Sequence, residues 1–242
     1  MKRLILAALV VLIAVPSAFA DTYIKSKTHN DAMVVMGQST PARDTTTETW
    51  IAEGRYASGG ADSWFVIDVA KKVAYFINHK DKTYVETPLP LDLAKLLPPE
   101  AAGMVDMIKM TATVTPSTDT RKFGSWNCTG YDAVMTVMGM PMNMRIWATT
   151  AVPFDVAGFN SSMMPVILQG QMRVADAALA EFAKIKGYQI ASEMTADIMG
   201  AKVHVTQEVV EIADRPAPEG IFAPPAGYKK NAALSMADLQ KR

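Results

Sequence analysis

The sequence predicts an α+β fold: a strongly twisted antiparallel sheet, an open β half-barrel, with two helical insertions acting as a lid. Three observations carry this. Short runs rich in Val, Ile, Thr and aromatics recur between turn residues through the first half of the chain. Strict two-residue alternation in the second half gives each strand one apolar face. Two zones, about 91–108 and 161–186, switch to helical spacing and supply what must cover that face. Such a layout leaves room for an apolar cavity between sheet and lid.

The chain of 242 residues opens on Lys2-Arg3, an apolar run from Leu4 to Val15, and Pro16-Ser17-Ala18-Phe19-Ala20. A charged start, an apolar stretch too short to span a bilayer and an A-x-A site are the signature of a secretory signal peptide. Residues 1–20 are therefore expected to be cleaved, leaving one domain over 21–230 and a short tail over 231–242, helical or disordered. Loss of Lys2 and Arg3 leaves 22 basic against 24 acidic residues. That near-neutral balance argues against nucleic acid as a partner. No Cys follows Ala20, so no lipobox is present, and no later apolar run reaches the ~18 residues of a membrane span. The expected product is a soluble periplasmic protein.

In order along the chain, strands are expected near Thr22–Met36, Thr45–Tyr56, Ser63–Val69, Val73–Asn78 and Thr83–Thr87. Turn residues separate them at Gly37 to Pro41, Ser58-Gly59-Gly60, Lys71-Lys72 and Asn78 to Lys82. Pro88, Pro90, Pro98 and Pro99 punctuate the first helical zone, where Leu93, Leu96 and Leu97 share a face. Ile108, Met110, Ala112 and Val114 then alternate until Pro116 ends the strand. Next comes a hairpin. Pairing Val137 with Met142 across Met138-Gly139-Met140-Pro141 sets Met135 opposite Met144, Ala133 opposite Ile146 and Tyr131 opposite Ala148. In the second helical zone Val174, Ala178, Phe182 and Ile185 form an apolar stripe that Gly187 stops. A last hairpin turns near Gly200, with Met194, Ala196 and Ile198 facing Val203 and Val205, and the parity shift to Val210 and Ile212 implies a bulge near 207–209.

The chemistry-bearing residues are few. Cys128 is the single cysteine and reads as a small buried hydrophobe, so no disulfide framework supports the fold. His29, His79 and His204 are far apart in sequence without metal-ligand spacing, and His79, beside Lys80 and Asp81, reads as an exposed turn residue. No G-x-S-x-G, H-E-x-x-H or P-loop motif occurs. Asp132, Glu193 and Asp197 fall on the polar parity of their strands. Methionine is the anomaly: of 17 in all, Met135, Met138, Met140, Met142 and Met144 crowd into ten positions. Thioethers are soft ligands for Cu(I), and Met is equally the side chain that adapts to irregular apolar partners or fills a core.

The run Thr113 to Tyr131, with Thr115-Pro116-Ser117-Thr118-Asp119-Thr120-Arg121 followed by Gly124, Cys128 and Tyr131, resembles a bacterial exported family of unknown function. Lys186-Gly187-Tyr188, Glu208-Val209-Val210-Glu211 and Phe222-Ala223-Pro224-Pro225-Ala226-Gly227-Tyr228-Lys229 match its later pattern. In element order that family is similar to the lipoprotein-carrier (LolA/LolB-like) group, and the resemblance implies a half-barrel with a helical lid and an exported location. It implies no catalytic residue.

The expected function is non-catalytic: a periplasmic binding or carrier protein that holds a lipid or acyl chain between sheet and helices, without a cofactor. Its ligand-binding residues are expected to be Met135, Met144, Ile146, Phe182, Met194, Ile198, Val203 and Val205. Two alternatives stand beside it: a periplasmic Cu(I) binder using Met138, Met140 and Met142, and a structural or partner-binding module without a small ligand.

Overall fold

The computed structural model describes residues 21–35, 37–98, 110–198, 200–235 and 238. The expected signal peptide, the first helical zone beyond Pro98, and half of the tail lie outside these residues.

Among the described residues twelve strands form one sheet. The first, β1 (Thr22–Asn30), pairs on one side with β4 (Arg43–Ala52) and on the other with β13 (Ala201–Asp214), both antiparallel. Beyond β4 runs a meander of β5 (Arg55–Gly59), β6 (Ser63–Asp68), β7 (Val73–Asn78) and β8 (Thr83–Pro88), edged by β14 (Lys229–Asn231) in parallel. Beyond β13 runs a second meander through β12 (Tyr188–Ile198), β11 (Met140–Thr149) and β10 (Trp126–Val137) to the edge strand β9 (Thr111–Phe123). The short strands β2 (Met33–Val35) and β3 (Gln38–Thr40) make a separate hairpin, with β2 lying against β13. Among the described residues four helices complete the plan: α1 (Leu93–Leu96), α2 (Val156–Ser162), α3 (Met164–Met172) and α4 (Asp176–Phe182). The result is the expected α+β arrangement dominated by antiparallel sheet. No helix among the described residues is long and apolar enough to cross a membrane.

The second helical zone is broken where the sequence suggested one continuous stretch. Asp155 caps α2 by accepting a hydrogen bond from the Gly158 N–H at 3.0 Å. Arg173 takes a left-handed conformation (φ 54°) that ends α3. Val174 then leaves the helix to form a parallel bridge with Met110. Val174, Ala178 and Phe182 are all buried, so the apolar stripe is kept while the backbone that carries it changes.

Four strand expectations need correction. The stretch from Thr22 is two strands, β1 and β2, and Thr45–Tyr56 straddles the turn at Glu53-Gly54 (Gly54 φ 65°) between β4 and β5. Pro116 does not end β9, which continues to Phe123. Its missing N–H is tolerated because β9 is an edge strand, and the register around it slips between Thr129 and Tyr131 of β10. In the β10–β11 hairpin the pairs are Val137–Met140, Met135–Met142, Ala133–Met144 and Tyr131–Ile146, two residues from the expected register. Met138 (φ 52°) and Gly139 (φ 78°) both have positive φ, which makes a two-residue turn whose twist suits the strands better than a four-residue loop. Because the slip is an even number, every side chain keeps its face.

The expectation of one apolar face per strand holds for β9–β12 and fails for β5–β7. Val66, Ile67, Ala57 and Ala74 are wholly buried, so that half of the sheet is covered on both sides. On one side Ile24, Phe65, Ile67 and Phe76 pack with Phe159, Met163 and Ile167 of the helical segment. On the other, Phe222 with Ala217, Ile221 and Tyr228 covers Tyr23, Trp50, Val66 and Tyr75. Near the other edge Val114, Tyr131, Ala133, Met135 and Ile146 pack under Leu168, Val174, Ala178 and Phe182.

Candidate functional site

Residues paired directly across strands share a face, so the register defines rows on the helix-covered side. One row runs Val114, Ala133, Met144, Met194, Val205; the next runs Ala112, Met135, Met142, Ala196, Val203. The helices roof the β9–β10 end of these rows. Toward β13 the rows continue with Met142, Met144, Met194, Val203 and Val205 only half-buried, and Ile198 is half-buried at the turn end. The eight expected ligand residues thus divide. Met135 (1% exposed), Ile146 (1%) and Phe182 (8%) are sealed into the core, whereas Met144, Met194, Ile198, Val203 and Val205 form an apolar shelf continuous with it.

A polar seam adjoins the shelf. The next row on the same face reads Tyr131, Ile146, Ser192, Gln207, Thr28, Thr45, and Ser26 pairs with Thr47 one step further. Ser26 and Ser192 are buried, and Ser192 Oγ accepts from Gln189 Nε2 at 3.2 Å. A crevice of about 290 Å³ opens on this side, lined by Thr47, Ser58, Phe65, Trp64 and Gln171 of α3. It merges into a wider cavity of about 1080 Å³ bounded by Thr45, Thr46, Glu48, Asp62, Asn78 and Lys80. Sequence reasoning anticipated an apolar space between sheet and helices and missed this hydroxyl-rich one. Its signal was present in the Thr45-Thr46-Thr47 run, whose alternate members face the helices.

At the hairpin tip Met138 and Met140 are exposed, and Met142 is half-buried on the shelf side. Cys128 is a free, buried thiol whose pKa is pushed up by that burial. His79, expected at the surface, is half-buried: its Nδ1 lies 2.9 Å from the Tyr228 hydroxyl, and desolvation lowers its pKa.

The opposite face carries a constellation that the sequence spacing concealed. His29 Nδ1 lies 2.7 Å from Asp44 Oδ1, and its Nε2 lies 3.1 Å from Asp31 Oδ1. His204 Nδ1 lies 2.9 Å from the other Asp31 oxygen, and its Nε2 lies 2.9 Å from Glu193 Oε1. The β1–β13 pairing that sets His29 opposite Thr206 makes this possible, with the Asp31 N–H donating to the His204 carbonyl at 3.0 Å. Both imidazoles are held above the ordinary histidine range, His29 chiefly by its bond to Asp44 and His204 chiefly by its bond to Asp31. Nearby, Arg145 donates to Asp132 and Asp119, each at 2.5 Å, and stacks 4.8 Å above Trp147. His29, Asp44 and Glu193 also line a groove of about 750 Å³ floored by Phe123, Trp147, Ala191 and Val210. All four ring nitrogens face carboxylates, which accept hydrogen bonds and donate none when ionised. Among the described residues no group of three or more His, Cys, Asp or Glu side chains converges to hold a metal ion. No protein-family model matches the chain, and no curated protein matches its sequence.

Proposed function

We propose that the protein is an exported, non-catalytic carrier of an amphipathic lipid, built as a LolA/LolB-like half-barrel with the helices as lid. The observation that carries this reading is the shelf: Met142, Met144, Met194, Val203 and Val205 stay half-exposed and contiguous on the helix-covered face. An acyl chain laid there gains ~0.8 kcal/mol per buried methylene. Methionine suits the task, since its unbranched thioether adapts to chains of differing shape. The seam of Thr28, Thr45, Thr47, Ser192 and Gln207 lies one row away and offers hydrogen bonds to an ester, hydroxyl or amide of the same ligand.

Native mass spectrometry of the protein purified gently from an exported fraction tests this. The expected result is a bound species of lipid mass, released on denaturation. Met144→Asp places a charge on the shelf and is expected to remove that species while the circular dichroism spectrum is kept. A bare wild-type chain, or a folded Met144→Asp variant that retains the lipid, overturns the reading.

A further inference from the structure

The histidine–carboxylate chain on the opposite face supports an inference independent of any ligand on the shelf. Ionised carboxylates only accept hydrogen bonds, and a neutral imidazole has one donor and one acceptor nitrogen. Each of His29 and His204 is bracketed by two carboxylates, so a neutral ring satisfies one contact and turns a lone pair toward the other. Only the imidazolium, a donor at both nitrogens, makes every contact favourable. Asp31 is shared by both rings and stands between β1 and the β2–β3 hairpin.

We propose that Asp44, His29, Asp31, His204 and Glu193 form a proton-operated latch that fastens the root of the β2–β3 hairpin to the sheet. Each ring takes one proton from solvent on closing and returns it on release. Closed, the latch ties β4 and the hairpin root to β13 and β12. Released, it leaves the hairpin held by the Asp31–His204 backbone bond and by the packing of β2 on β13.

Other charges face the latch. Lys27 of β1 and Lys202 of β13 share its face, Arg145 of β11 stands opposite Glu193, and Asp197 of β12 pairs with Lys202. Arg43 precedes Asp44 on β4, Glu208 lies two residues beyond Thr206 on β13, and the β2–β3 hairpin carries no ionisable side chain. The three carboxylates in direct contact outweigh the cations, consistent with the raised pKa of both rings. A raised folded pKa places the latch's contribution in full below the ordinary histidine value, and it is lost as pH rises through the folded values.

Two measurements on the full chain test this. In an NMR titration His29 and His204 are expected to titrate above 6.5 and His79 below it. In hydrogen exchange corrected for intrinsic rates, protection of the segment 31–40 is expected to fall by about threefold when pH passes through the folded values, a step scaled to exposed ion pairs and shrinking in high salt. Asp31→Asn and His204→Gln are each expected to abolish the step while leaving exchange in β10 and β11 unchanged. The latch is refuted if His29 and His204 titrate at or below 6.5, or if wild type and Asp31→Asn show the same pH dependence.

Discussion

Glu181 accepts a hydrogen bond from the backbone N–H of Val114 at 2.8 Å, standing where a further strand would stand beside β9. Lys184 completes the arrangement, pairing with Glu181 at 2.6 Å and reaching the Val114 carbonyl at 3.4 Å. A helix side chain thereby satisfies the edge that a partner sheet would otherwise use. Glu181→Ala is expected to raise the exchange rate of the Val114 amide about fivefold and to increase self-association, read by light scattering. Its carboxyl is held below the usual range, first by Lys184 and then by the Val114 N–H. A depressed folded pKa means that the cap is intact above the ordinary glutamate value and opens only as pH falls through the lower folded value.

Met135 and Met144 lie on adjacent rows of one face, and their environments separate stability from binding. Met135 is enclosed by core and Met144 is half-exposed. Met135→Ala is expected to cost about 2–5 kcal/mol in urea unfolding, because a sealed site leaves a cavity. Met144→Ala is expected to cost about 1 kcal/mol or less and to act on lipid retention instead. Equal losses of stability at the two positions would remove the distinction between core and shelf.

Met138 is a methionine at φ 52°, where a Cβ is disfavoured and asparagine is tolerated. Met138→Asn creates the Asn-Gly pair preferred in such turns and is expected to stabilise the protein by about 1 kcal/mol. Cu(I) titration of the same variant examines the copper alternative. Tight binding by wild type that disappears in Met138→Asn would favour a metal role for the tip.

Gly170 lets α3 settle onto the sheet: a Cβ there would stand 2.6 Å from the Phe65 ring, itself packed on Phe76 with centroids 4.8 Å apart. Gly170→Ala gains about 1 kcal/mol of helix propensity and is nonetheless expected to destabilise by about 1–3 kcal/mol through overpacking. Adding Phe65→Leu should recover part of the loss, and additive effects in the double variant would show that the two groups do not meet.

What the sequence disclosed depended on locality. Alternation placed Met194, Ala196 and Val203 on one face because such patterns are written in neighbouring residues, whereas the bulge expected near 207–209 falls at Val210, which is exposed while Val209 is buried. The hairpin register slipped by two because an even slip preserves the hydrophobic pattern, and only the φ values of Met138 and Gly139 distinguish the alternatives. The long pairings had no local signature. His29 and His204 meet only because β1 pairs with β13, and Lys229–Asn231 joins the sheet as a parallel edge that composition alone did not mark. The sequence disclosed the shelf as an apolar parity, and left the hydroxyl seam hidden among threonines that also suit any strand.

The position of β1 has a consequence for assembly. The meander β4–β8 closes by near-neighbour hairpins, and β9–β13 does so except between β11 and β12, where α2, α3 and α4 intervene, whereas β1 joins the two through partners at Asp214 and Ile51. The hairpins of each meander can therefore form from contacts of low sequence separation, while the β11–β12 pairing spans the helical segment and the β1–β13 closure joins a strand from the start of the chain to one near its end. The loop entropy of that step falls on a single seam. Until β13 is available, β1 presents one bare edge, and the protein is most exposed to mispairing with another copy of itself along Thr22–Asn30.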